Sequence, residues 1–416
     1  MKIFRCPVHD VIDLSTGNKD VDRLIIDLID SREFQRLKKI KQLGFAHFAY
    51  PGAEHSRFLH SLGVAFIAKE FLDKIISLEG QTLAFFSSNA DMRKFYDKVV
   101  DFFEQTKKDK PLTIVAALLH DIGHGAFSHL SEDITGVRHE EWVKEIILGD
   151  TEVNSILTGH GPDCPQKVCD ILFSSKIISG KIDIDKMDYL LRDSHITGSG
   201  YGKYDIKWLY NILTVGIYKG EVTIGLDEGK GIGAAEQFVT ARIDMFRYVY
   251  LHKTTLVAQK MLEKLIERLK ILRGDGRHYV KNKNLENILF APKIDVKSQL
   301  KCYLAVKDST YDDLFESLLD SDDEILRVLA AGLLYRRLFK KVEAKDLADP
   351  KDFLAFKIEM EPYKDKFAYD PTKDEIILFD KNGRASELSK KSATVSSLIK
   401  ITIKNSDTVY KKEFFC

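Results

Sequence analysis

Four of the chain's 12 histidines fall between His120 and His139, in the run A-L-L-H-D-I-G-H-G-A-F-S-H-L-S-E-D followed by His139-Glu140. An apolar stretch ending in His120-Asp121 sets a neutral nitrogen donor beside an anionic oxygen donor at a helix terminus, where both can converge on one divalent cation. Gly123 and Gly125 allow a tight backbone turn next to that point. A lone His-Asp pair is usually an ordinary satisfied imidazole; four histidines beside two glycines argue for chemistry. Further ligands are needed, and two candidates stand in suitable settings. His60 lies in S-R-F-L-H-S-L-G on a helix whose other side (Leu59, Leu62, Val64, Phe66) is apolar, so it faces a boundary. Asp185 opens a stripe of Asp185, Tyr189, Arg192 and Asp193 at i, i+4, i+7 and i+8, with Ile184, Met187, Leu190 and Leu191 on the opposite side. Such a stripe, taken alone, is more often a solvated helix face.

The scaffold must place these residues within a 416-residue chain of 47.5 kDa with 63 basic and 63 acidic residues. At 44% apolar it can bury a core, and no apolar run approaches the roughly 18 residues of a spanning helix, so a globular chain without a membrane partner is expected. Zero net charge removes any whole-protein field, and a polyanion must be met by local bases or a metal. The five scattered cysteines and the absence of a signal-like start point to a reduced, cytoplasmic setting. Cys164 and Cys169, without a second pair, read as structural thiols.

Periodicity predicts a mostly α chain. Two helices span Val21–Leu43, split by an N-cap near Asp30-Ser31 and ended by Gly44; another runs from Arg57 to Leu78. Residues 79–110 read as a polar surface insertion. A buried helix at Leu112–His120 is followed by helices at Phe127–Ile134, His139–Leu148 and Ile182–Asp193. A hairpin pairs Val215–Tyr218 with Val222–Leu226, and Gly229–Gly233 reads as a turn. One long helix covers Ala234–Leu272. Helices at Asp312–Leu318 and Glu324–Phe339 and strands at Glu375–Phe379 and Leu398–Ile403 complete a division into a core at 1–300 and an α+β accessory region at 301–416.

Five segments together carry a specific resemblance: F-Q-R-L-K-K-I-K-Q-L-G, Y-P-G-A-E-H-S-R-F-L-H-S-L-G, L-L-H-D-I-G-H-G-A-F-S-H, D-I-D-K-M-D-Y-L-L-R-D and R-Y-V-Y-L-H-K. In this order, over about residues 1–270, the sequence resembles the HD-domain deoxynucleoside triphosphate triphosphohydrolases, which include bacterial dGTPase-like enzymes and the animal SAM-and-HD-domain enzyme. The resemblance implies an HD-domain helical metallohydrolase whose metal ligands are His60, His120, Asp121 and Asp185. Two imidazoles and two carboxylates do not choose sharply among Mn²⁺, Fe²⁺, Zn²⁺ and Mg²⁺. It also implies acid/base duty for His124, His129, Glu132 and His139, where Glu132 replaces an aspartate of the animal enzyme.

By the same resemblance Arg57, Lys186, Arg242 and Lys253 bind phosphates, and eleven residues on one helix would return Lys253 almost to the face of Arg242. Gln42, Leu43, Tyr189 and Asp193 would line a deoxyribose, the tyrosine ring filling the space of a 2′-hydroxyl. Tyr250 would contact the base, with His252 beside it; Leu251 stands where the animal enzyme has glutamine, leaving base preference open. Asp30, Gln35 and Lys38 fall where that enzyme recognises an activating guanine, Lys38 replacing an arginine and losing its planar fork. Cys6-Pro7-Val8-His9 departs from the usual Asp-Pro-Ile-His-Gly. The implied protein hydrolyses dNTP to deoxynucleoside and tripolyphosphate as a homo-oligomer, dimer or tetramer, with an activating nucleotide at subunit contacts.

The rival readings are a broader HD phosphohydrolase acting on other nucleotides or nucleic-acid ends, and a nucleotide-sensing or nucleic-acid-binding protein, kept alive by Arg277, Lys281 and Lys283. His139-Glu140-Glu141-Trp142-Val143 lacks the second histidine of H-E-x-x-H, and the 229–233 glycines lack a P-loop's spacing.

Overall fold

The computed structural model describes residues 2–175, 177–178, 182–339, 355–360, 375–398 and 410–415. A hairpin of β1 (Ile3–Cys6) and β2 (Asp10–Asp13) precedes α1 (Lys19–Asp30) and α2 (Arg32–Arg36). Next come α3 (Arg57–Ser77), α4 (Glu79–Ser88), α5 (Tyr96–Leu119), α6 (Leu130–Thr135), α7 (His139–Leu148), α8 (Glu152–His160), α9 (Cys164–Ser174), α10 (Ile184–Thr197) and α11 (Ile206–Asn211). The hairpin of β3 (Leu213–Tyr218) and β4 (Glu221–Asp227) leads into α12 (Glu228–Asp244), a π-helical turn (Met245–Tyr250) and α13 (Lys253–Gly274). The chain continues through α14 (Lys283–Leu289), α15 (Val296–Ala305), α16 (Asp308–Leu318), α17 (Glu324–Leu334), β5 (Ala355–Met360), β6 (Ile377–Phe379), β7 (Ala385–Glu387) and β8 (Tyr410–Phe415). Among the described residues no helix is long and apolar enough to cross a membrane.

The mostly α architecture follows from the apolar spacing. Val21, Leu24, Ile25, Leu28 and Ile29 form the buried stripe of α1, and Asn18 caps its first turn by accepting from the Asp20 and Val21 amides. Ser31 separates α1 from α2 by capping the latter, as expected, but α2 stops at Arg36 and 3₁₀ turns carry the chain to Phe48. At the centre, α3 lies between α5 and α10. The contact with α10 requires Gly63, because a Cβ there would sit 1.9 Å from Asp188 Oδ1 and 2.4 Å from an Arg192 nitrogen.

Several expectations are corrected. Residues 96–119 form one helix running through Pro111, with Phe86, Val99 and Phe103 buried, so the 79–110 stretch is partly core. Proline removes one backbone donor, but the continuous burial of Thr113–Leu119 holds the helix together. The expected long helix at Ala234–Leu272 is two. His252 has extended backbone, and its ring nitrogen accepts from the Thr254 amide, starting α13 anew. Arg242 and Lys253 therefore do not share an uninterrupted helix face. Gly229–Gly233 lies inside α12 rather than in a turn. The helix expected from Phe127 begins at Leu130, because Phe127 and Ser128 take positive φ angles of 57° and 61°. The last apolar helix ends at Leu334, well before Phe339.

The 3–4 hairpin does not stand alone. The four-stranded sheet has the order β3-β4-β6-β7, and β4 pairs in parallel with β6 through Leu226 opposite Leu378 and Asp227 opposite Phe379. Gly216 and Gly225 make room for the Phe379 ring, which a Cβ on either would meet at 2.5 and 2.7 Å. The expected strand at 375–379 is thus a short central strand. That at Leu398–Ile403 lies outside the described residues beyond Leu398.

Candidate metal centre and proton-transfer group

His60 comes from α3, His120 and Asp121 from the end of α5, and Asp185 from the first turn of α10. His60 Nε2 lies 3.0 Å from Asp185 Oδ1 and 3.5 Å from Asp121 Oδ2. His120 Nε2 lies 3.4 Å from Asp121 Oδ1 and 3.6 Å from Asp185 Oδ1. Four donor atoms from three helices therefore surround one point. His60, His120 and Asp121 already form a compact group able to hold an ion, and Asp185, its side chain 35% exposed, closes the open side.

The tautomers fit a metal. His120 Nδ1 is engaged with the Ala117 carbonyl at 2.8 Å, and its buried Nε2 has no hydrogen-bond partner among the described residues. His60 Nδ1 meets Asp188 Oδ2 at 2.8 Å, which directs the other nitrogen's lone pair inward when Nδ1 carries the proton. Without an ion, burial pushes the His60 imidazole down, but hydrogen bonds to Asp185 and Asp188 outweigh it and hold its pKa at about 10. Desolvation would raise the Asp185 carboxyl, but hydrogen bonds with His120 and His60 keep it well below the usual carboxylate range.

Asp188 is a residue the sequence reading missed. It is fully buried, accepts both Arg192 Nε (2.7 Å) and Nη2 (2.8 Å), and meets His9 Nε2 at 2.6 Å. The guanidinium satisfies a carboxylate that would otherwise be strongly penalised. Thus the later half of the α10 stripe is internal, Arg192 and Asp193 being buried with Asp188, while Asp185 and Tyr189 are only partly covered. The only sequence cues were the carboxylate three residues after Asp185 and the histidine in the divergent Cys6–His9 segment.

His124, His129, Glu132 and His139 form a second cluster. Glu132 Oε1 meets His129 Nδ1 at 2.7 Å and His139 Nδ1 at 2.9 Å, while the His124 and His139 rings stack at 3.9 Å. Burial would raise the Glu132 pKa, but the two histidines hold it far below the usual range. Burial, then Arg57 and His139, keep the His124 imidazole well below its ordinary pKa and therefore neutral. His129 is the outward member, its side chain 72% exposed. His124 Nε2 lies 3.3 Å from Asp121 Oδ1, bringing the cluster against the metal ligands.

Gly123 and Gly125 serve close approach rather than positive φ. Added Cβ atoms would sit 2.4 Å from the His139 carbonyl and 2.7 Å from Tyr303 Oη, respectively. Arg57 is buried, ion-paired with Asp121 and bonded to Ser128 Oγ at 2.7 Å. Lys186 pairs with Asp183 at 2.5 Å; Arg242 is buried in α12, and Lys253 is exposed at the start of α13.

A cluster of polar and aromatic side chains adjoins the metal ligands. Asp193 accepts from Tyr250 Oη at 2.8 Å and meets His55 Nε2 at 2.7 Å; the Tyr189 ring is 6.1 Å from Tyr250 and 6.5 Å from His60. Gln42 donates its backbone N–H to the His55 carbonyl at 2.9 Å, and its buried side-chain Oε1 has no partner among the described residues. Leu43 follows Gln42 in the same loop, half-buried. His55, which the sequence reading did not select, joins Gln42 to Asp193. At the anticipated regulatory position, Gln35 accepts from Lys38 Nζ at 2.7 Å, and Asp30 is ion-paired with Lys2.

Helical scaffold and mixed imidazole–carboxylate centre together define a hydrolase-type metal domain. Residues 57–193 match the HD domain, a family that binds divalent metals. The chain is 32% identical over its full length to the Bacillus subtilis protein YwfO, covering 93% of that protein. It is 31% identical to the Dictyostelium discoideum deoxynucleoside triphosphate triphosphohydrolase SAMHD1 homolog, over 46% of this chain and 36% of that one. The crystal structure of a phosphohydrolase from Bacteroides thetaiotaomicron superposes with a TM-score of 0.75 at 25% identity, covering 100% of this chain and 98% of the other. The chain belongs to the HD-domain family and, within it, shares distant ancestry with the SAMHD1 triphosphohydrolases.

Proposed function

We propose that the protein hydrolyses deoxynucleoside triphosphates to deoxynucleoside and tripolyphosphate. The observation that carries this reading is the adjacency of the four-donor centre to the Tyr189–Asp193–Tyr250 side-chain cluster. A bound divalent ion at His60, His120, Asp121 and Asp185 supplies Lewis-acid polarisation and an activated water. Asp193, with four lone-pair sites and two neighbours in place, retains capacity to accept a sugar hydroxyl. The buried Gln42 oxygen adds a second acceptor, and Tyr189 occupies space beside it. Arg57, fixed by Asp121 and Ser128, presents positive charge to an incoming phosphate at the metal. Lys186, Arg242 and Lys253 are the further bases. His129, exposed and held by ionised Glu132, is positioned to give a proton to the departing 5′-oxygen.

We further propose that the protein works as a cytoplasmic homo-oligomer, with a second nucleotide at the surface carrying Asp30, Gln35 and Lys38. The test is to incubate purified protein with each dNTP and NTP plus Mn²⁺ or Mg²⁺ and identify products by chromatography and phosphorus NMR. Tripolyphosphate, labelled when the reaction runs in oxygen-18 water, is expected; dNMP plus pyrophosphate as first products contradicts this reading. Light scattering and rate curves against dNTP concentration test the assembly: an oligomer with sigmoidal kinetics is expected, and a monomer with hyperbolic kinetics overturns it.

A further inference from the structure

The loop carrying His124 and His129 is anchored by side chains far away in sequence. Tyr303 Oη, from α15, donates to the Gly123 carbonyl at 2.8 Å. Arg36 Nη1 donates to the next carbonyl, that of His124, also at 2.8 Å. Asp308, the first residue of α16, accepts the Phe127 amide through Oδ1 and the Lys41 amide through Oδ2, each at 2.9 Å. One buried carboxylate thus ties the proton-transfer loop to the loop bearing Gln42 and Leu43.

The loop needs such restraint. Phe127 and Ser128 are consecutive non-glycine residues at positive φ, a strained conformation that persists only where the surrounding structure over-determines it. Phe127 also stacks on Phe45 at 4.4 Å and lies 5.3 Å from the Tyr311 ring of α16. Tyr303 is itself fixed by a parallel stack on Trp142, with 3.8 Å between centroids and 1° between planes. The Arg36 guanidinium sits 5.4 Å from the same ring. Neither Tyr303 nor Asp308 touches a metal ligand in the contacts above.

We infer that Tyr303 and Asp308 are positioning residues: they hold the 123–128 backbone so that His124 and His129 meet the reacting group, and they give the region after residue 300 a part in catalysis. The inference rests on the proposed acid/base role of His124 and His129, and on the dNTP-hydrolysis reading for the choice of substrate.

Asp308→Asn keeps the shape but offers one carbonyl acceptor where two amides need one each. Hydrogen–deuterium exchange should show faster exchange confined to peptides covering Lys41 and Phe127. Metal content and KM should hold while kcat falls about tenfold or more, since small misplacements of catalytic groups are expensive. Tyr303→Phe, which keeps the stack and loses one hydrogen bond, should lower kcat less, with faster exchange at 124–128. Asp308→Glu, retaining both acceptors, should recover part of the rate lost in Asp308→Asn. Unchanged exchange at both segments, or parallel loss of metal and kcat, would overturn the inference. A wild-type protein inert toward every dNTP would refute the substrate reading instead, while the exchange comparison would still decide whether the clip exists.

Discussion

The two histidine clusters lie against each other yet are built differently. His60 and His120 sit on long helices with one ring nitrogen fixed by a protein acceptor and the other aimed at carboxylates across a shared gap. His129 and His139 instead direct Nδ1 to one glutamate, Glu132, and belong to a loop and two helix starts. The first arrangement leaves lone pairs for an ion; in the second Glu132 engages one nitrogen each of His129 and His139, and the His129 ring stays exposed, although these four residues too lie close enough together to hold an ion. Under the proposed function, equal residue types are divided between metal binding and acid/base work by their partners.

The sharpest separation of the two comes from Asp185→Ala, which should abolish metal uptake and activity while circular dichroism retains the helical signal. Full metal occupancy in that variant would end the assignment. His129→Ala should behave oppositely, keeping the metal and losing about 10²–10⁴-fold in kcat; metal analysis beside steady-state rates checks it. Asp188→Asn probes the support of the metal cluster. It weakens the hold on His60 and on Arg192, and should reduce metal affinity about 10–100-fold.

Proton linkage offers a gentler comparison. In the ion-free protein His60 is raised to about 10, so it is protonated at neutral pH, and an ion must displace that proton. Metal affinity should rise with pH up to that value, with ~1 proton released per ion, measured by calorimetry in buffers of different ionisation enthalpy. Proton-independent binding would show that His60 is not a ligand. The smallest effect is expected for Tyr189→Ala, which should narrow the dNTP/NTP rate ratio by up to about a hundredfold without changing metal content. Equal wild-type rates on dATP and ATP would remove its basis.

Much of the metal cluster was legible because its residues occur in short, chemically unusual runs: His120-Asp121 at the end of an apolar helix, and Asp185 ahead of Tyr189 and Asp193. Helices with clear periodicity, such as α3 and α7, were readable for the same reason. Asp188 was not, because a carboxylate on an amphipathic helix looks solvated until Arg192 and His9 are seen packed around it. The break before α13 escaped notice because the apolar period runs through it, while the capping contact depends on the His252 side chain. Tyr303 and Asp308 act on backbone groups some 180 residues away, for which no local pattern exists.

The Trp142–Tyr303 stack also makes the molecule its own optical gauge. The sequence has two tryptophans: Trp142 is fully buried on that stack, and Trp208 is 43% exposed. Replacing Trp208 by Phe leaves a single emitter seated between α7 and α15, with an apolar, water-shielded environment that gives blue emission. Loosening of α15 would admit water to the indole and shift that emission red. The spectrum of one ring can thus follow the docking of the later chain in real time, without a label and without turnover.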